Sequence, residues 1–85
     1  MAPLHRHISL DQPACYHIQI VGRLDEDWSH YFDGMDLTTE TLEDGVTLTD
    51  LTGIVMDQAS LHGILRLIRD LGLPLVLVEL IRNEE

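Results

Sequence analysis

Histidine and cysteine are the side chains best able to bind a metal or move a proton, and four of them crowd the start of this chain: His5, His7, Cys15 and His17. Imidazole nitrogen and thiolate sulfur are ordinary zinc ligands, but zinc sites show compact, repeated spacings that this set does not match. His5 and His7 also stand in an irregular leading segment. No metal site and no cofactor is therefore expected. Strand alternation would set Cys15 and His17 on one face, where either can be an ordinary surface residue.

A second set is Asp57, Gln58 and His62. Gln58 and His62 are four apart, hence neighbours on a helix, and imidazole titrates near neutral pH, so His62 is a candidate for a catalytic proton acceptor. The plainer account has Asp57 capping the helix, Gln58 and His62 solvated, and Gly63 allowing close approach by another backbone. A third set is aromatic: Trp28, Tyr31 and Phe32 can line a pocket, with Arg23 as a charge partner. That makes Arg23, Trp28, Tyr31 and Gln58 ligand-binding candidates, although such aromatic residues more often fill a core. No dinucleotide or phosphate-binding glycine loop, nucleophile elbow or His-x-x-x-His pair occurs.

Size and charge narrow the classes of function. Eighty-five residues build one hydrophobic core and not two. The formal net charge is −10, with five Arg and no Lys, so the clustered cations that grip a phosphate backbone or an anionic membrane surface are missing. Neither nucleic acid nor membrane is an expected partner. Cys15 is the lone cysteine, which fits a reducing compartment, and MAPLHRHISLDQPAC lacks the apolar core of a secretory signal, so a cytoplasmic location is expected.

The elements that must position these residues follow from periodicity. Residues 1–14 read as a flexible or loosely docked arm, and 15–85 as a single α+β domain. Tyr16, Ile18 and Ile20 alternate with His17 and Gln19, the period of a half-buried strand. Leu24 to Phe32 changes to helical spacing, with Asp25, Glu26 and Asp27 suited to a first turn and Gly34 to a left-handed end, so that the aromatic residues plug one end of a sheet. Met35 to Leu42 and Val46 to Leu51 form a hairpin, with Asp44 and Gly45 at positive φ in its turn. Leu51 falls out of step with Val46 and Leu48, which a bulge near Thr49 or Asp50 would repair.

Asp57 to Leu71 is the strongest helix: Leu61, Ile64, Leu65, Ile68 and Leu71 make one apolar stripe. Asp57 caps its start, and Met56 with Leu61 stands at staple positions. Gly72, Leu73 and Pro74 suit a Schellman ending, and Arg66 with Asp70 is an i,i+4 ion pair. Leu75 to Ile81 follows as a strand apolar on both sides, with Leu75, Leu77 and Ile81 on one and Val76, Val78 and Leu80 on the other.

The β-α-β-β-α-β order matches a ferredoxin-like fold: a four-stranded antiparallel sheet, first and third strands central, both helices on one face. The stretches YHIQIVGRLDEDWSHYFDGM, LTG at 51–53 and DQASLHGILRLIRDLGLPLVLV resemble a family of small uncharacterised bacterial proteins, seen mainly in actinobacteria. The resemblance spans nearly all of the chain after Tyr16. Its characteristic positions correspond to Gly22, Leu24, Asp25, Trp28, Phe32, Gly34, Asp57, Gln58, Leu61, His62 and Gly63. The chain departs from the pattern at Ile54, where the family has proline, and at His30 and Tyr31. The resemblance supports the element order and implies no activity.

With helices on one face only, Val76, Val78 and Leu80 would stay exposed unless covered. A second copy covering them predicts a homodimeric accessory or protein-interaction module. The arm folding back through Leu4, Ile8 and Leu10 is the competing cover. A small-ligand sensor or small enzyme with a pocket near Trp28 and His62 is the alternative function.

Overall fold

A computed structural model describes residues 12–83. The chain is an α+β fold on a four-stranded antiparallel sheet: β1 (Ala14–Val21), β2 (Asp36–Thr41), β3 (Thr47–Val55) and β4 (Leu75–Asn83). A 3-10 helix (Glu26–Phe32) separates β1 from β2, and α1 (Gln58–Asp70) separates β3 from β4. The strand order is β2-β3-β1-β4, which leaves β2 and β4 at the edges. One buried cluster joins Tyr16, Ile18 and Ile20 of β1, Leu51 and Val55 of β3, Phe32 of the 3-10 helix, and Leu61, Ile64 and Ile68 of α1.

Local chemistry explains both ends of α1. The Ser60 N–H donates to Asp57 Oδ1 at 2.7 Å, satisfying a donor that the first helical turn leaves free. At the other end the Gly72 N–H donates to the Arg69 carbonyl and the Leu73 N–H to the Ile68 carbonyl, the paired bonds of a Schellman ending. Leu71, expected in the apolar stripe, is exposed, and Leu65 is only partly buried. Asp70 bonds the adjacent Arg69, not Arg66, because the Arg69 guanidinium reaches its carboxylate at 3.1 Å.

The first helical segment is tighter than an α-helix. Asp25 accepts from the Asp27 N–H, and the chain leaves through two left-handed residues, Asp33 and Gly34. Of the expected aromatic plug only Phe32 is fully buried; Trp28 packs against the core from its margin, and Tyr31 is exposed.

The hairpin turn and β3 require two corrections. Only Gly45 takes a positive φ, +88°, while Asp44 serves through its side chain by accepting from the Val46 N–H. β3 also needs no bulge: its register with β1 and with β2 runs unbroken. It keeps alternation because Thr49, a polar residue, is fully buried on the same face as Leu51. Its hydroxyl donates to the Gly22 carbonyl at 2.6 Å and accepts from the Leu24 N–H at 3.1 Å, tying down the chain that leaves β1.

The strand β4 differs most from its expected form. Residues opposed across an antiparallel pair share a sheet face. Leu80 opposes Tyr16, Val78 opposes Ile18 and Leu75 opposes Ile20, so these three lie on the side of the core. Leu77 and Glu79 oppose Gln19 and His17 on the other side. The register shifts between Cys15 and Tyr16 and again between Gln19 and Ile20, leaving Ile81 and Val76 as the extra residues. Two bulges therefore replace the simple division into two apolar faces. Val78, placed outward by simple alternation, instead packs against the core.

Candidate functional site

The edge strand β4 exposes large apolar side chains near its two bulges. Leu75 is 50% exposed, Val76 51%, Leu80 38% and Ile81 47%. These residues form two pairs, one on each side of Val78. Natural edges are commonly shortened, charged or bulged against continued pairing, and β4 carries bulges at Val76 and Ile81 while keeping these large apolar side chains exposed. Bulges at Val76 and Ile81 break the outer row of backbone donors and acceptors, so a neighbour would be held by side chains more than by a continued ladder.

The other face of β1 carries a polar cluster across three strands. His17 Nε2 lies 2.7 Å from Asp50 Oδ1 on β3, and His17 Nδ1 lies 3.1 Å from Glu79 Oε1 on β4. Gln19 Nε2 donates to the same Asp50 oxygen at 3.0 Å. Hydrogen bonds from the imidazole to Asp50 and then to Glu79 favour its charged form and outweigh partial burial, holding its pKa above the ordinary imidazole value. An imidazole already committed at both nitrogens is a poor general base, and it braces three strands instead.

The residues singled out for chemistry are dispersed. Arg23 lines a shallow hollow of about 330 Å³ with Leu24, Asp25, Glu26, Leu37, Thr38 and Thr39; Trp28, Tyr31, Gln58 and His62 do not line it. Gln58 donates to the Tyr16 hydroxyl at 2.7 Å, which joins α1 to β1. Trp28 and Tyr31 meet at 5.2 Å between ring centroids, and Tyr31 lies 4.2 Å from the His30 ring. His62 is exposed on α1, and among the described residues nothing beyond its own helix and chain neighbours lies within 4 Å of a Cβ built on Gly63.

Of the metal-type residues, His5 and His7 lie outside the described residues, Cys15 is buried as a free thiol, and His17 faces carboxylates. Among the described residues no group of three or more His, Cys, Asp or Glu is arranged to hold a metal ion, and no helix is long and apolar enough to cross a membrane. Sequence reasoning met His17 but missed Asp50 and Glu79, which stand 33 and 62 residues away and become neighbours only through strand pairing.

No curated protein and no solved structure matches the chain. A family model described as a domain of unknown function, DUF8691, matches residues 15–79, so it takes in β1, both helical segments, the hairpin and the first half of β4. The chain belongs to the DUF8691 family.

Proposed function

We propose that this domain is a homodimeric accessory or protein-interaction module whose subunits meet along β4. The observation that carries the reading is the exposure of Leu75, Val76, Leu80 and Ile81 on one strand at the edge of the sheet that the described residues form. Their spacing suits a two-fold contact. In an isologous interface residue i touches j and j touches i. An axis beside Val78 sets Leu75 against Ile81 of the second copy and Val76 against Leu80, so each apolar pair covers the other. Fully burying a Val or Leu is worth roughly 1.5 to 3 kcal/mol, and symmetry counts each contact twice.

The same reading takes the fold as ferredoxin-like, with both helical segments on one sheet face. The central placement of β1 and β3 supports it, as does the single cluster shared by Phe32, Leu61, Ile64 and Ile68. The setting is cytoplasmic, with another protein as a further partner; the lone cysteine supports that setting. A ligand sensor or small enzyme has less support, because Arg23 stands apart from Trp28 and His62 in the hollow it lines.

Cysteine cross-linking tests the two-fold geometry. Chains carrying Val76→Cys, mixed with chains carrying Leu80→Cys, are expected to give chiefly mixed disulfide-linked dimers under mild oxidation. Equal yields of all pairings, or none, would contradict an axis beside Val78.

A further inference from the structure

Building on the proposed β4 contact, we propose that His17 regulates it: the imidazole straps Glu79 of the edge strand to Asp50 of β3, and loss of one proton frees Glu79 and weakens self-association. Only the doubly protonated ring can donate at both nitrogens. The two bonds are unequal. Asp50 Oδ1 is also held by Gln19, and its contact with His17 is the shorter, 2.7 Å. The Glu79 contact is 3.1 Å, and the Glu79 side chain is 53% exposed. A neutral His17 therefore keeps its proton on Nε2 toward Asp50 and turns a lone pair toward Glu79.

Glu79 adjoins Val78, where the two-fold axis is placed. Freed of its counter-charge, it would approach its symmetry mate in a pair of chains that each carry a formal charge of −10. The groups facing His17 have mostly one sign. β3 contributes Asp50, and β4 contributes Glu79 and Arg82, the latter opposite Cys15. β1 adds Cys15 to that face, and β2 adds Asp36, opposite Thr52 one strand further away. Carboxylates bonded to the ring raise its proton affinity in the folded state. The strap is thus fully present below the ordinary imidazole pKa and is lost as pH rises through the higher folded value.

The full chain is compared at about pH 5.5 and about pH 8.5, on either side of imidazole titration. Amide exchange, corrected for its intrinsic pH dependence, reports on β4, and sedimentation equilibrium gives the dimer Kd. In the parent, protection of the β4 amides is expected to fall severalfold at the higher pH while that of β3 holds, and Kd to rise severalfold. His17→Gln should abolish the β4 response and shrink the change in Kd, to which the charge of the whole chain also contributes, and the exposed Glu79→Gln should shrink both without disturbing the fold. Imidazole NMR should find the neutral ring protonated at Nε2. Unchanged β4 protection, an equal response in E79Q, or a neutral ring protonated at Nδ1 would overturn the strap. A chain monomeric at both pH values overturns the contact, and with it the regulation, even where β4 protection responds.

Discussion

Thr49 donates its hydroxyl proton to the Gly22 carbonyl at 2.6 Å while accepting from the Leu24 N–H, so one core side chain satisfies two backbone groups of the segment leaving β1. Thr49→Val keeps the shape and removes both bonds. Leaving buried polar groups unpaired costs about 1–3 kcal/mol, and urea unfolding should show that loss as a lower midpoint with an unchanged slope. A T49V chain as stable as the parent would show that the segment is held by packing alone.

Gly53 is required by close approach. A Cβ there would stand 3.1 Å from Met35 Cα, a backbone atom that can give way only if the turn before β2 moves. Gly53→Ala should cost about 1–3 kcal/mol through overpacking. Gly63→Ala, where the Cβ meets no described residue beyond its own helix and chain neighbours, should instead stabilise by up to about 1 kcal/mol through helix propensity. Thermal unfolding should move the two variants in opposite directions.

Asp57 gives the domain an acid-sensitive cap. Hydrogen bonding from Ser60, led by its backbone N–H, holds the carboxyl below its ordinary value. A lowered folded pKa gives stability that is present above the unfolded value and lost as pH falls through the folded one. Asp57→Asn retains an acceptor without that titration. The parent's advantage over D57N should shrink as pH falls below the ordinary carboxylate range, and an advantage constant with pH would contradict the cap's electrostatic role.

How far the sequence could be read depends on how local each determinant is. α1 was legible because its stripe, its cap Asp57 and its ending at Gly72 and Leu73 lie within one stretch of chain. The antiparallel sheet was legible from alternation in β1 and the turn at Gly45. The faces of β4 were not, because the bulges at Val76 and Ile81 depend on pairing with β1. Thr49 misled the reading of β3 because a buried hydroxyl looks like a surface position until its partners Gly22 and Leu24 are in place. The cluster around His17 was hidden for the same reason: its carboxylates come from β3 and β4.

The proposed β4 contact is tested most directly by sedimentation equilibrium of the parent and Val76→Asp across the micromolar range. Val76 is an exposed bulge residue, so the substitution leaves the core intact, whereas Val78→Asp would also strike the core that Val78 packs against. Two aspartates brought into the apolar contact would have to be desolvated without partners. The parent should sediment as a dimer and V76D as a folded monomer or a much weaker dimer, with circular dichroism unchanged. A parent that is monomeric throughout, or a V76D chain that dimerises as tightly as the parent, would contradict the contact.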